Sequence, residues 1–185
     1  MARTPSNMLA LNTEAPDFTL LDTKSNTQLS LNSLKGNKAT VIMFICNHCP
    51  FVIHVNPELV KLANDYHSKG VNFIAISSND VINYPQDGPD KMQQHAKENS
   101  YPFPYLYDET QEVAKAYNAA CTPDFYVFDD NLKLAYRGQL DDSRPGNGIP
   151  LTGSDMRHAL DCILSTTPNT QMQKPSIGCN IKWKS

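Results

Sequence analysis

The feature that most constrains the fold is a pair of cysteines between an apolar segment and a helical pattern. Lys38 to Ile45 is apolar and rich in β-branched residues, which is typical of a strand buried on both faces. It runs into Cys46-Asn47-His48-Cys49-Pro50, after which apolar residues recur at helical spacing to about Ser68. Because proline suits an early helical position, Pro50 marks the helix start. The sequence therefore predicts a Cys-x-x-Cys motif at a strand–helix junction.

Such a junction suits thiol chemistry. Unpaired backbone N–H groups at a helix N-terminus stabilise an anion, so a thiolate at Cys46 is expected to have a lowered pKa. We predict that Cys46 is the more exposed cysteine and the attacking nucleophile. Cys49, one turn further on, is placed to close a disulfide with it. His48 lies between them and is expected to support the thiolate with positive charge or a hydrogen bond. These three residues form the predicted catalytic set.

Two other interpretations of the cysteine pair remain open. Cysteines at this spacing also occur as half of a zinc site or as small core residues. A metal carrier would hold Cu(I) or Zn(II) with Cys46 and Cys49, joined by His48 or Cys121. The other cysteines, Cys162 and Cys179, are scattered and offer no second pair at short spacing. Redox chemistry is therefore the preferred interpretation, and it requires neither a metal nor an organic cofactor.

The remaining patterns predict a mixed α/β domain with an N-terminal β-hairpin and an inserted helix near residues 89–99. Strand–helix–strand units surround a central sheet that an antiparallel hairpin closes. The predicted strands are 15–21, 27–31, 38–45, 71–77, 103–107, 125–128 and 132–137, and the predicted helices are 50–68, 90–99, 109–118 and 155–164.

The chain has 185 residues, which suits one domain over 1–185 with a polar C-terminal tail from about 166. The net charge of −3, without basic runs, argues against nucleic-acid binding. The longest apolar run is too short to span a bilayer, so no membrane partner is expected. The first ten residues lack the apolar core of a secretory signal, and we expect a cytoplasmic protein. In that compartment five cysteines favour catalytic or metal-binding roles over a static disulfide framework.

Several motifs together resemble one family. The motifs are Cys46-Asn47-His48-Cys49-Pro50, Ser77-Ser78-Asn79-Asp80, Cys121-Thr122-Pro123-Asp124-Phe125, Asp141-Asp142-Ser143-Arg144-Pro145-Gly146 and the tail from Pro175 to Trp183. A strand–Cys-x-x-Cys–helix followed about 70 residues later by Thr-Pro-x-Phe resembles the thioredoxin-like superfamily. More narrowly, the chain resembles its redoxin, or peroxiredoxin-like (AhpC/TSA-type), branch. The resemblance extends from about Ala15 to Trp183 and implies a thioredoxin fold.

The resemblance also implies further site residues. It implies that Pro123 follows a cis peptide bond beside the cysteine pair, with Thr122 presenting a strand edge to a bound peptide or thiol. Cys121 would lie close to the pair, as a relay thiol or as a small buried neighbour. Cys179 would approach the site as a second resolving thiol within an ordered tail. Asp141 and Arg144 would line a binding surface, or simply form an ion-paired loop.

One departure from the family pattern concerns peroxide reduction. A peroxiredoxin has a threonine three residues before its peroxidatic cysteine, whereas Met43 precedes Cys46 and Cys46 precedes Cys49 at that spacing. Neither side chain offers a hydroxyl for peroxide. We therefore expect a thiol–disulfide oxidoreductase, with a thiol-dependent peroxidase as the alternative enzyme. Its partners would be protein or small-molecule thiols and disulfides, with electrons from a dithiol protein or a low-molecular-weight thiol.

His48, the residue before the second cysteine, is the basis for a prediction of the redox potential. If His48 lowers the attacking thiol's pKa by one or two units, the potential rises by about 30 to 60 mV. Burial near Phe51 opposes this effect, because desolvation raises a thiol pKa. We predict a value between those of thioredoxin and protein disulfide isomerase, about −270 and −180 mV.

Overall fold

The computed structural model describes residues 3–184, which form a mixed α/β domain. Its β-strands are β1 (Thr4–Pro5), β2 (Thr19–Asp22), β3 (Thr27–Ser30), β4 (Ala39–Phe44), β5 (Val71–Ser77), β6 (Tyr105–Tyr107), β7 (Cys121–Thr122), β8 (Asp124–Asp129), β9 (Leu134–Arg137) and β10 (Ile177–Asn180). Its α-helices are α1 (Leu31–Leu34), α2 (Pro50–His67), α3 (Pro89–Glu98), α4 (Glu112–Ala116) and α5 (Ser154–Leu164), and Pro85–Asp87 is a 3-10 helix.

A seven-stranded mixed sheet has the order β3-β2-β6-β5-β4-β8-β9. Strand β4 pairs in parallel with β5, and β5 with β6, whereas the other pairs are antiparallel. The predicted mixed α/β class is confirmed. The hairpins β2–β3 and β8–β9 and the inserted helix α3 are confirmed as well.

The central strand β4 forms because both of its faces are covered. Successive side chains of a strand point to opposite faces. Val41 and Met43 join one hydrophobic cluster that includes residues of α2, and Ile42 and Phe44 join a second cluster on the other face. All six β4 residues are buried. An apolar run without alternation is therefore what this position requires.

A second, three-stranded sheet with the order β1-β10-β7 was not predicted. The register places Cys179 opposite Thr122 and Asn180 opposite Cys121, and Thr4 opposite Gly178. The prediction that the tail packs is confirmed, since Cys179 and Ile181 are buried. Part of the predicted polar tail is thus a strand that runs against the segment before Pro123.

The segment between β5 and β6 forms the 3-10 helix and α3, and it lies over the start of α2. The Asn47 backbone N–H donates to Asp87 (2.9 Å), and the Asn47 side chain donates to the Gln86 carbonyl (2.8 Å). The insertion therefore holds the loop that carries the cysteine motif. Among residues 3–184, no helix combines the length and apolar character needed to cross a membrane.

Candidate active site

The cysteine motif lies where the sequence predicts it, between the end of β4 and the start of α2. Helix α2 begins at Pro50, which makes Cys49 its N-cap residue. Cys46 is 1% exposed and Cys49 is 0% exposed. Cys46 is thus the more exposed of the two, as predicted, but only by this small margin, because both thiols are enclosed by the surrounding chain.

The predicted proline loop lies against this pair. The Thr122–Pro123 peptide bond is cis, as expected. The Thr122 hydroxyl oxygen is 3.4 Å from the Cys46 sulfur, and the Thr122 carbonyl oxygen is 3.1 Å from the Cys49 sulfur. Thr122 therefore contacts both cysteines, through its side chain and its backbone respectively.

The edge that Thr122 was expected to present to a partner is already occupied. Strand β10 pairs antiparallel with β7 and places Cys179 opposite Thr122. The Cys179 sulfur lies 2.8 Å from the Cys49 sulfur. The expectation of an open strand edge is thus wrong, because the chain's own C-terminal segment forms the backbone pairs that an incoming peptide would need.

Among the thiols of Cys46, Cys49 and Cys179, the structure stabilises a negative charge best on Cys49. Hydrogen bonding by the Cys46 thiol lowers the pKa of Cys49 to about 5, despite the opposing effect of burial. The Cys179 thiol and the backbone amides of Val52 and Cys179 act in the same direction. Hydrogen bonding to Cys49, burial and the Asp87 carboxylate together raise the pKa of Cys46 well above its ordinary value.

The prediction that Cys46 has the lower pKa is therefore wrong. The main physical reason is the hydrogen bond between the two cysteines, which stabilises the charge on Cys49, and the position of the helix start adds to it. Because α2 begins at Pro50, the Val52 amide of its first turn acts on Cys49, the N-cap, and not on Cys46. The first proton that the cluster loses leaves from Cys49.

His48 is paired with a carboxylate that the sequence did not reveal. Its Nδ1 lies 2.7 Å from Oδ2 of Asp87, which is fully buried, whereas the His48 side chain is 28% exposed. The His48 ring also stacks on Tyr84, with centroids 5.8 Å apart. Asp87 offsets any positive charge on His48, so the expected support of the Cys46 thiolate by histidine charge is opposed at short range.

Asp87 is the residue of the candidate site that the sequence did not predict. It accepts hydrogen bonds from the Asn47 backbone N–H (2.9 Å) and the Asn79 side chain (2.8 Å), and its Oδ2 lies 2.7 Å from Nδ1 of His48. It lies in a turn-rich segment without periodicity, which gave it no signal of its own. The motif at Ser77 to Asp80 was the one hint, since it contains the Asn79 partner.

Cys121 is close in sequence but separate in chemistry. Its sulfur is directed at the carbonyl oxygen of Pro123, at 3.6 Å, and the residue is fully buried. Burial, followed by the Asp124 carboxylate, raises the pKa of Cys121. Adjacent strand residues point to opposite faces, so Thr122 contacts the cysteine pair while Cys121 points away. The structure favours the small buried neighbour over the relay thiol.

Asp141 and Arg144 organise their own loop. The buried Asp141 carboxylate accepts hydrogen bonds from the backbone amides of Ser143, Thr152 and Gly153 (2.7–2.8 Å). The Arg144 guanidinium donates to the carbonyls of Asp141 and Ser143. Asp141 therefore orders the loop through backbone amides instead of through the expected ion pair. Arg144 also borders a small crevice that includes Pro123.

The arrangement offers two kinds of chemistry. Three thiols and a shared negative charge suit disulfide exchange, in which a thiolate attacks a disulfide sulfur. A second cluster consists of ligand atoms of Cys46, His48 and Asp87, all within 4.8 Å of one another. That set differs from the expected metal ligands, because it contains Asp87 and lacks Cys49.

The described structure is similar to two solved structures over nearly the whole chain. An uncharacterized conserved protein from Geobacillus kaustophilus is 61% identical, with a TM-score of 0.98 over 100% of this chain and 97% of that chain. A hypothetical protein from Sinorhizobium meliloti 1021 is 44% identical, with a TM-score of 0.96 over 98% of this chain and 99% of that chain. No curated protein sequence matches the chain significantly.

A more distant structure identifies the fold. The thioredoxin domain of a thiol-disulfide oxidoreductase from Bacteroides vulgatus is 21% identical, with a TM-score of 0.60 over 74% of this chain and 91% of that chain. The predicted thioredoxin fold is confirmed by this likeness. The sequence model of the AhpC/TSA family matches residues 11–137, which is more than half of the chain. With its Cys-x-x-Cys motif beside a cis-proline, this chain is a member of the AhpC/TSA family.

Proposed function

We propose that the protein is a thiol–disulfide oxidoreductase that works by dithiol–disulfide exchange between Cys46 and Cys49. The observation that carries the proposal is the contact of both thiols with Thr122, next to cis-Pro123. Because the pKa of Cys49 is lowered to about 5, the pair carries a thiolate at neutral pH. Such a pair needs no metal or organic cofactor to exchange disulfides.

The reaction begins with a proton transfer within the pair. Cys46 hydrogen-bonds to the Cys49 thiolate, so moving that proton to Cys49 leaves the thiolate on Cys46. The Cys46 sulfur then attacks one sulfur of a substrate disulfide. The substrate's disulfide bond breaks, and its first thiolate leaves and takes a proton. His48, which Asp87 orients beside Cys46, is positioned to supply it.

The second step closes the internal disulfide. Cys49 loses its proton again and attacks the Cys46 sulfur of the mixed disulfide, which releases the second substrate thiolate. Two electrons have then passed from the two cysteines to the substrate. A dithiol protein or a low-molecular-weight thiol would return the pair to the reduced state by the reverse reaction. A cytoplasmic setting, with its reducing thiol pool, remains our prediction.

The test is single-turnover reduction of glutathione disulfide by the reduced protein. We expect Cys46→Ser to abolish it and Cys49→Ser to stop at a mixed disulfide on Cys46, which mass spectrometry can locate. Cys162→Ala is the matched control, because Cys162 lies on α5 and its sulfur is near His158. Full activity of the Cys46→Ser variant, or a glutathione adduct on Cys162 alone, would refute the proposal.

The redox potential remains a prediction with a revised cause. We still expect a value between about −270 and −180 mV. The stabilised thiolate is on Cys49, and its donors are two thiols and two backbone amides. His48→Pro is therefore expected to change the potential less than Cys179→Ala, which removes one of those donors. Equilibration with glutathione measures both variants.

Peroxidase activity is the alternative within the same family. Met43 is buried in the core and supplies no hydroxyl to Cys46. The Thr122 hydroxyl, 3.4 Å from the Cys46 sulfur, is the observation in favour, since it reaches the same atom from another strand. Peroxide consumption that Thr122→Val abolishes, at a rate above that of glutathione disulfide reduction, would support this alternative.

Metal binding is the alternative from a different class. The grouping of Cys46, His48 and Asp87 is the observation in favour, since thiolate, imidazole and carboxylate are all zinc ligands. Metal analysis of protein purified without added metal tests it. One equivalent of zinc or copper, lost in Asp87→Ala, would support a carrier. Absence of metal in active protein would leave dithiol exchange as the function.

A further inference from the structure

Strand β10 brings a third thiol into the centre. The Cys179 sulfur lies 2.8 Å from the Cys49 sulfur, and Cys179 is 3% exposed. Cys49 therefore contacts a thiol on each side, Cys46 from the motif and Cys179 from the tail. The two contacts are alternatives for the same atom, since one sulfur can form only one disulfide.

The position of Cys179 is fixed by the strand that carries it. Backbone pairing sets Cys179 opposite Thr122, and the Ser176 hydroxyl donates to the Pro123 carbonyl (2.7 Å). At Gly178 the strand approaches Thr122 so closely that a Cβ atom would lie 2.0 Å from the Thr122 carbonyl oxygen. Glycine is needed here for that close approach. Three features therefore place the Cys179 thiol beside Cys49: the backbone pairing with Thr122, the Ser176 hydrogen bond and the close approach at Gly178.

The distance between the Cys49 and Cys179 sulfurs also favours disulfide chemistry over binding of a shared metal ion. Zinc–sulfur bonds of about 2.3 Å at a tetrahedral angle place two ligand sulfurs about 3.8 Å apart. The two sulfurs of Cys49 and Cys179 are closer than that. Their Cα atoms belong to α2's N-cap and to β10, two elements that pack against each other.

We infer that Cys179 is a third redox thiol, which takes over the Cys46–Cys49 disulfide by forming a Cys49–Cys179 disulfide. The inference rests on the proposed function, since that reaction creates the first disulfide. Strand β10 would then supply the thiol that accepts the disulfide. It also occupies the position beside Thr122 that a substrate peptide would otherwise take.

The exchange is balanced within the chain. Cys179 loses its proton, and its thiolate attacks the Cys49 sulfur of the Cys46–Cys49 bond. That bond breaks, the Cys49–Cys179 bond forms, and Cys46 leaves as a thiolate that takes up one proton. No electrons enter or leave, because the oxidising equivalents were supplied earlier by the substrate disulfide. The outcome is a free Cys46 thiol, able to attack a second substrate, while the oxidised bond is buried and links α2 to β10.

The test locates the disulfide in protein oxidised by glutathione disulfide. Because Lys174 precedes Pro175, the tryptic peptide that contains Cys179 also contains Cys162. All measurements therefore use the Cys162→Ala background. We expect a cross-link between the peptide of Cys49 and that of Cys179, and we expect Cys46→Ser to lose it, because that variant cannot form the first disulfide. Cys49→Ser and Cys179→Ser are expected to lose it.

A second readout follows Cys46 itself. After oxidation by one equivalent, iodoacetamide should label Cys46 in the protein that retains Cys179 and should fail to label it in Cys179→Ser. Serine preserves the size of the side chain, and circular dichroism checks that this variant folds. If Cys46–Cys49 forms and exchange proceeds while no cross-link to the peptide of Cys179 appears and Cys46 stays unlabelled, the inference is overturned and the proposed function stands. If Cys46–Cys49 does not form either, the proposed function fails.

Discussion

Removing the Cys179 thiol should raise the pKa of Cys49. The structure lowers that pKa to about 5, and the Cys179 side chain is one of the groups responsible. A hydrogen bond to a charged group contributes about 1.5–3 kcal/mol, and a thiol is a weak donor, so the low end applies. At 1.36 kcal/mol per unit, Cys179→Ala should raise the pKa by about one unit, from about 5 to about 6.

The change is large enough to measure in two ways. At a pH midway between the two values, the thiolate fraction falls about threefold for a one-unit shift. Ultraviolet thiolate absorbance of the reduced protein, titrated with pH, reports it directly. The same shift lowers the redox potential by about 30 mV, which equilibration with glutathione detects.

Two variants separate the hydrogen bond from other causes. Cys179→Ser retains a hydroxyl donor and should recover most of the wild-type pKa, whereas Cys162→Ala should leave the pKa unchanged. If Cys179→Ala titrates like the wild type, the thiol does not stabilise the Cys49 charge. If alanine and serine produce the same shift, altered packing of β10 is the cause and the hydrogen-bond reasoning is refuted.

Three further predictions concern stability. Because the folded pKa of Cys49, about 5, lies below its ordinary value of about 8.5, the unfolding free energy of the reduced protein should rise between those pH values. Urea unfolding at several pH values should show a smaller rise of the unfolding free energy with pH in Cys49→Ser. An unchanged rise would contradict the prediction. Arg137→Ala should cost about 3–5 kcal/mol, since it leaves the buried Asp124 carboxylate unpaired. The exposed Lys133 serves as control: Lys133→Ala should cost about 0–1 kcal/mol, and equal costs would refute the argument. Gly178→Ala should displace β10 and cost about 1–3 kcal/mol, and retention of the Cys49–Cys179 cross-link would show that the strand tolerates the added Cβ.

The sequence predicts the scaffold of the site because its signals are local. The apolar run ending at Ile45 and the proline at position 50 mark the strand–helix junction, and both depend on neighbouring residues alone. Pro123 was placed by family resemblance, since a lone proline does not reveal a cis bond or its distance from Cys46. The central strand, helix α2 and the cysteine pair could therefore be predicted in advance.

The missed features depend on contacts between distant residues. Strand β10 contains Gly178, Cys179 and Asn180, none of which favours a strand by itself, and it forms because β7 and β1 pair with it. Asp87 lies on a single 3-10 turn without periodicity, and its role depends on His48, which is 39 positions away. The charge distribution between the two cysteines also depends on tertiary contacts. Beyond the hydrogen bond between the two cysteines, it depends on the Cys179 thiol of β10 and the Asp87 carboxylate of the 3-10 helix.

Because β10 occupies the strand edge at Thr122, we expect the site to accept a smaller range of substrates. A peptide that pairs with Thr122 must first displace β10, which breaks its backbone pairs and the hydrogen bond from Ser176 to the Pro123 carbonyl. A small disulfide has no such requirement, because it needs only to reach the Cys46 sulfur. His48, whose side chain is 28% exposed, has a ring nitrogen within 4.8 Å of that sulfur, so we expect a small disulfide to approach from this side. With β10 in place, the geometry therefore favours small disulfides, and reduction of a protein disulfide should accelerate when Gly178→Ala loosens the strand. An equal rate in both forms would show that the strand does not limit access.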